Sequence, residues 1–391
     1  MAIYFSIFFI FAFLAIAIKP LPSLGYEDLK NKYYLNLLFA FCFIFLTLFI
    51  GLRYNIGGDF GQYRLIYSQY YETSFLNSLI SSRYVADPGF GVLNWFIHQF
   101  DPYEGINWNF AHRVGGYNIV NLSCAGIFSI FFLKFAFKLP RPFLVLAMTF
   151  PYLIVVVSMG YVRQGMSIAI LAFALTQLCE SKKLSFVILV CIAASLHKSA
   201  IIFLPLVAYI STSNKFILFL IGLIFFSFVV LFIAANQIER LVSVYIGQGI
   251  QSRGAQLRIG LLIPAAFIYL KYKNRFSFND VEHQIWSFFS ISTVALFLLV
   301  LTVGSAISTS LDRIALYYIP FSTLILSLFP DLFEKRNRLL VIIALLVYYF
   351  LLFTIWILFA DHNFQWLPYQ NILFFDTNDL NHHILDDKRM G

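Results

Sequence analysis

The sequence predicts an all-α polytopic integral membrane protein, and three observations lead there. Hydrophobic residues make up 60% of the 391-residue chain and charged residues only 12%, a balance no soluble domain tolerates. Apolar runs near the roughly 20 residues that a helix needs to cross a bilayer alternate with short polar clusters. The basic residues are also sorted by type. Ten of the 14 arginines fall at segment ends facing one side, and 11 of the 13 lysines fall at the other. Lysine in short loops orients a membrane protein. Arginine gathered on the opposite face, with its planar fork of donors, suits phosphate. The expectation is a membrane enzyme acting on a phosphorylated lipid.

Apolar length places 12 crossings, at residues 2–18, 33–52, 117–137, 143–158, 164–179, 184–196, 199–210, 216–235, 259–270, 285–303, 314–329 and 339–360. With both termini outward, the inward loops hold 15 basic residues and the short outward connections six, in accord with the positive-inside rule. The long outward loop and the tail narrow that margin to 15 against 12. Residues 1–10 carry no basic residue and no small-residue cleavage site follows, so the first segment reads as a helix rather than a secretory signal. The segments 184–196 and 199–210 are each too short to span alone, and His197 with Lys198 interrupts them. They read as tilted helices, or as short broken helices lining a protein-buried cavity.

No internal repeat or linker divides the chain, so residues 1–391 form one membrane domain. It carries a large outward loop at 53–113, a second, Gln-rich one at 236–258, and an outward tail at 361–391. Within the first loop, 92–100 reads as an interfacial or re-entrant helix. Cys42, Cys124, Cys179 and Cys191 lie in apolar segments at spacings that fit neither zinc nor a disulfide framework, and read as packing residues. The net charge of +8 suits an anionic bilayer surface, and nothing points to nucleic acid. Zinc-protease, phosphate-loop and hydrolase-elbow patterns are absent, as is an outward Asp-x-Asp pair, and Asp386-Asp387 lies in the tail. A reaction without metal or cofactor is therefore expected, with arginines neutralising a departing phosphate.

Four outward clusters carry polar chemistry. Arg53 leaves the membrane where Gly57-Gly58-Asp59 begins a turn followed by Tyr63. Either Arg53 clamps phosphate while Asp59 faces a sugar hydroxyl, or this is a snorkelling arginine beside an ordinary turn. Arg163-Gln164-Gly165 opens a helix, whose N-terminus attracts anions, or Arg163 meets lipid headgroups. His197-Lys198-Ser199 sets an imidazole and an ammonium at the break between two short helices, as proton acceptor and anion ligand or as a helix-end hydrogen bonder. Ser310-Leu311-Asp312-Arg313 reads as another helix start, with Tyr317 and Tyr318 beyond it, where Asp312 and Arg313 bind ligand or pair with each other. Arg253 and Arg258 flank the end of the Gln-rich loop, closing over a headgroup or forming a solvated face.

In this order the clusters resemble the EpsG-like, Wzy-type polymerases of O-antigen, capsule and exopolysaccharide. The resemblance is carried by Arg53 with Gly57, Gly58, Asp59 and Tyr63, by Asp87-Pro88-Gly89-Phe90, and by Arg163-Gln164-Gly165. His197-Lys198-Ser199-Ala200, Asp312-Arg313 before tyrosines, and Trp366-Leu367-Pro368-Tyr369 complete it. It spans nearly the whole chain. It implies a GT-C-like helical architecture in the bacterial inner membrane with a periplasmic active site. There a glycan on undecaprenyl pyrophosphate passes to the non-reducing-end sugar of another lipid-linked repeat. A chain-length regulator and a flippase are the implied partners. On this reading Arg53, Arg163, Arg253, Arg258, Arg313 and Lys198 hold the pyrophosphate, and His197 or Asp59 is the base. Asp59, Tyr63, Asp312 and Tyr317 bind the acceptor sugar. The rivals are a lipid-linked oligosaccharide flippase, which needs charge exposed alternately to both sides, and an O-antigen ligase or membrane acyltransferase.

Overall fold

The computed structural model describes residues 1–21, 29–70, 74–76, 87–100, 116–211, 214, 254–302 and 305–374. Among these residues the regular structure is helical, and strand pairing is limited to one isolated antiparallel bridge, Arg53 to Asn371. The helices are α1 (Ala2–Ala17), α2 (Leu29–Gly51), α3 (Phe60–Ser68), α4 (Pro88–His98), α5 (Tyr117–Ala136), α6 (Pro142–Gly160), α7 (Val162–Cys179) and α8 (Lys183–Leu196). They continue as α9 (Leu206–Ser211), α10 (Ala255–Gly260), α11 (Ile263–Tyr272), α12 (Asp280–Thr302), α13 (Ser305–Ala315), α14 (Ile319–Leu328) and α15 (Lys335–Phe359).

Seven helices are long and apolar enough to cross a membrane: α2, α5, α6, α7, α12, the near-continuous α13–α14 stretch over Ser308–Leu332, and α15. The protein is a multi-pass membrane protein. Four more of the 12 expected crossings are helical but shorter, at α1, α8, the turn with α9, and α11. The expected crossing at 216–235 lies outside the described residues. The expected loop helix at 92–100 overlaps α4, which begins four residues earlier at Pro88, a residue whose fixed φ suits a helix start, and ends at His98.

The centre of the bundle is α6, 94% buried along its apolar window, whereas α15 is only 22% buried and turns its apolar side chains outward, as a lipid-facing helix does. Lipid supplies no hydrophobic force between helices, so close packing needs small residues. Gly51 of α2 is one: a Cβ there would sit 2.8 Å from the Leu122 Cα of α5. Within α6 the stretch Phe150–Val157 widens into a π-helix with Pro151 in its first turn, a residue that has no N–H to give and crowds the preceding turn.

A C-terminal strap fastens this region. Trp366 Nε1 donates to the Val155 carbonyl of the π-helix at 3.1 Å, and Tyr4 of α1 donates to the Trp366 carbonyl at 2.9 Å. Tyr369 donates to the Phe49 carbonyl at 2.7 Å. Gly57 N–H reaches the Gln365 carbonyl at 2.9 Å, and Tyr54 N–H the Gln370 carbonyl at 3.0 Å. Helices α1, α2 and α6 are thereby tied together at one end of the bundle. The opposite end is closed by ion pairs. Arg141 grips Asp331 with two bonds of 2.7 Å, and Glu180 takes Lys138 together with Lys182. All four cysteines are free. Cys42 and Cys124 are buried as expected of packing residues, but Cys191 is exposed on α8 and packs no core.

Candidate functional site

Asp87 stands at the first turn of α4, in the N-cap position where an aspartate ordinarily caps its own helix. Its side chain makes no such bond. Gly89 lets α4 press against the end of α8, since a Cβ there would fall 2.5 Å from Ser195 Oγ. The carboxylate thereby meets the neighbouring elements instead. Oδ2 accepts from Arg163 Nη1 at 2.6 Å, and Oδ1 accepts from the Lys198 backbone N–H at 3.0 Å. His197 Nδ1 lies 3.5 Å from the same Oδ2, at the outer limit of hydrogen bonding. Asp87 is 1% exposed.

Each partner reaches Asp87 for a local reason. Arg163 sits in the first turn of α7, where the helix dipole repels a cation, and the carboxylate offsets that. Its guanidinium lies 5.6 Å from the Tyr63 ring and 5.8 Å from the Phe90 ring. His197 ends α8 in an extended conformation (φ −154°, ψ 110°), and the chain continues as a short 3₁₀ turn, Lys198–Phe203. The expected broken helix is thus present, with the imidazole at its break. The break is held from below by a hydroxyl chain: Ser199 Oγ lies 2.9 Å from Tyr317 Oη, which donates to Ser167 Oγ at 3.1 Å. Ser167 is one turn after Arg163 on α7.

Burial pushes the Asp87 carboxyl upward, but the contact with His197 and the charge of Arg163 outweigh it, leaving Asp87 below its ordinary range. Burial pulls His197 down more than Asp87 raises it, with Arg163 and Arg313 adding to the fall, which favours the neutral imidazole. Burial raises Asp59, opposed by the charges of Arg313 and Arg163. Asp59 owes its position to Gly57, whose φ of +99° admits the turn, and where a Cβ would stand 2.3 Å from the Met159 carbonyl.

A second group adjoins the first. Gln164 Nε2 donates to the Arg313 carbonyl at 2.6 Å, and the Arg313 guanidinium lies 5.4 Å from the Tyr161 ring. Arg313 is exposed. Arg258, on the last turn of α10, grips Asp312 through two bonds of 2.7 and 2.6 Å. Two buried polar atoms here lack a partner within the protein, Arg163 Nε and Gln164 Oε1, while His197 Nδ1 has only the long approach to Asp87. Clustered orphans of this kind mark a place where ligand or water completes the bonding.

The structure revises several expectations. Arg53 is 1% exposed and gives two donors to its own chain, Nη1 to the Ile50 carbonyl at 2.6 Å and Nε to the Ile56 carbonyl at 3.3 Å, while its buried Nη2 has no partner. It clasps the end of α2 to the Gly57 turn rather than facing outward. Asp312 and Arg313 do not pair with each other, because Asp312 is engaged by Arg258. They also do not start a helix, since they lie in the last turns of α13. The helix-N-terminus argument therefore holds for Arg163 and not for Arg313. Tyr317 is fully buried and Tyr63 only 4% exposed, so neither offers a ring face to a sugar. Lys198 contributes its backbone N–H. Arg253 lies outside the described residues. Asp87 belongs to the Asp87-Pro88-Gly89-Phe90 stretch that carries the family resemblance, and the sequence alone assigns it no role. Its signal was an acidic residue directly before a helix-starting proline.

A model of the EpsG family matches residues 36–371, from within α2 to the strap residue that bridges Arg53. The chain belongs to the EpsG family. The match takes in every described residue of the site, and the EpsG chain ends its matched region at the strap that holds Gly57 and the π-helix. No curated protein matches the chain, and no solved structure does.

Proposed function

We propose that this EpsG family member is a polysaccharide polymerase. It would transfer a glycan from undecaprenyl pyrophosphate to the non-reducing-end sugar of another lipid-linked repeat at the periplasmic face of the inner membrane. The observation that carries this reading is the gathering of Arg163, Arg313, Asp59, Asp87 and His197 beside the unpartnered Arg163 Nε and Gln164 Oε1 at one end of an apolar bundle. Transfer from a lipid pyrophosphate asks for a cation at the leaving group and a proton acceptor at the incoming hydroxyl. Arg313 suits the first task, because its guanidinium is exposed and rests on Tyr161 rather than on a carboxylate. Arg163 and Arg258 are held by carboxylates and would supply oriented charge behind it. Asp59 would hold the acceptor sugar or take its proton. Arginines in place of a metal would neutralise the departing charge. We further read 12 crossings with both termini outward, in a GT-C-like arrangement, consistent with the helices found at 11 of the 12 expected positions.

The test is reconstitution. Purified protein in lipid nanodiscs, given only its lipid-linked repeat, should produce a ladder of longer glycans without ATP. Unextended substrate, together with restored export when the gene complements a translocation defect, would instead establish a flippase.

A further inference from the structure

We infer that Asp87 and His197 form a carboxylate–imidazole dyad in which His197 Nε2 is the catalytic base and Asp87 is its positioning residue. This rests on the transfer reaction proposed above and settles which of two candidate groups takes the proton.

The geometry argues it from four sides. Asp87 gives up the capping of its own helix, and its carboxylate is instead fixed by bonds from two other elements, α7 through Arg163 and the 3₁₀ turn through Lys198 N–H. The oxygen that takes the Arg163 bond is the one that faces His197 Nδ1. A proton on Nδ1 is attracted to that anion, and this selects the tautomer that leaves Nε2 with its lone pair. The 3.5 Å separation is long, as catalytic hydrogen bonds often are before substrate binds. Finally, the ring can be reached: the His197 side chain is 15% exposed while Asp87 behind it is sealed at 1%.

The charged groups around the imidazole define its working cycle. Asp87 favours the imidazolium, and Arg163 and Arg313 disfavour it. Burial, with Arg163 and Arg313, lowers the imidazole pKa and favours the neutral form that can accept a proton. In the transfer step the acceptor O–H breaks and its proton goes to Nε2. The oxygen's electron pair forms the new bond to the anomeric carbon. The bond from that carbon to the pyrophosphate oxygen breaks, and its electron pair leaves on the pyrophosphate. The imidazolium then faces Asp87, which stabilises it, while the leaving charge faces the arginines. Asp59 is left to hold the acceptor sugar.

The experiment is the pH dependence of ladder formation by the full chain in nanodiscs, with kcat and KM measured separately. Wild type should lose activity toward acid as His197 protonates. Asp87→Asn should lower kcat by roughly 100- to 10,000-fold with KM unchanged or lower, and should move the acid limb to lower pH, because the anion favouring the imidazolium is gone. A merely structural aspartate would scale the profile without moving its limb, and that result overturns the proposal. His197→Ala provides a second variant should Asp87→Asn fail to fold. It should lose both the acid limb and roughly 100-fold or more in kcat. An acid limb retained at its wild-type position, or kcat within threefold of wild type, overturns the dyad. Failure of wild type to form any ladder is a separate outcome and overturns the polymerase reading instead.

Discussion

Replacing Arg163 by lysine separates charge from geometry at the centre of the site. Lysine keeps the positive charge and can still neutralise Asp87, now bonded by Arg163 Nη1 at 2.6 Å. It loses the stacking of a flat guanidinium on Tyr63 and Phe90, at 5.6 and 5.8 Å, worth about 0.5–1 kcal/mol for each ring. It also loses Nε, a donor with no partner in the protein, whose bond to a phosphate oxygen would be worth about 1.5–3 kcal/mol. Loss of that bond from the transition state would lower kcat/KM by roughly 10- to 150-fold. Stability should behave differently. Arg163→Lys retains the counter-ion of a sealed carboxylate and loses only the stacking, about 1–2 kcal/mol, so its melting temperature in detergent should fall modestly. Arg163→Gln strands that carboxylate at a cost of about 3–5 kcal/mol and should melt much lower. The assays are ladder formation in nanodiscs and thermal unfolding in detergent. Arg163→Lys within threefold of wild-type activity would remove its guanidinium from the reaction, and Arg163→Gln melting with wild type would refute the buried pair.

Three further substitutions test the scaffold. Trp366→Phe removes the donor to the Val155 carbonyl, a hydrogen bond worth about 0.5–1.5 kcal/mol whose loss should appear as a lower melting temperature. An unchanged melting temperature would mean that the strap does not depend on this bond. Gly57→Ala combines a left-handed φ of +99° with a Cβ 2.3 Å from the Met159 carbonyl. The backbone strain alone is about 1–2 kcal/mol, and the protein should insert but lose activity as Asp59 shifts, whereas full activity would show that the turn is free to move. Tyr317→Phe breaks the link between Ser199 and Ser167 without changing side-chain bulk, and should lower kcat more than it raises KM. A change in KM alone would place Tyr317 in substrate binding.

Most of the helical framework was legible because apolar length is a direct physical requirement of the bilayer, and 11 expected crossings coincide with helices. The shortness of α8 was legible as well, since the 184–196 run is too short to span alone, and α1 and α11 are likewise shorter than a full span. The break at His197 could be read from two short apolar runs meeting at polar residues. The role of Asp87 could not. Its partners lie 76 and 110 residues away in sequence at Arg163 and His197, and only the press of Gly89 against α8 brings them together. Arg53 failed for the opposite reason. An arginine leaving a membrane segment looks like an anion site, and nothing local shows that the strap will bury it against backbone carbonyls. Asp312 was read beside its sequence neighbour Arg313, while the bundle supplies Arg258 with a better-shaped, bidentate fork.

The central claim is that a glycan is transferred here off a lipid pyrophosphate whose charge is received by arginine. The most direct measurement is the amount of lipid pyrophosphate released per glycosidic linkage formed, by wild type and by Arg313→Ala. The account predicts one released lipid pyrophosphate for each new linkage in wild type, with both falling together in Arg313→Ala. Substrate that remains intact in wild type, or release and linkage at wild-type rates without the Arg313 guanidinium, would contradict it.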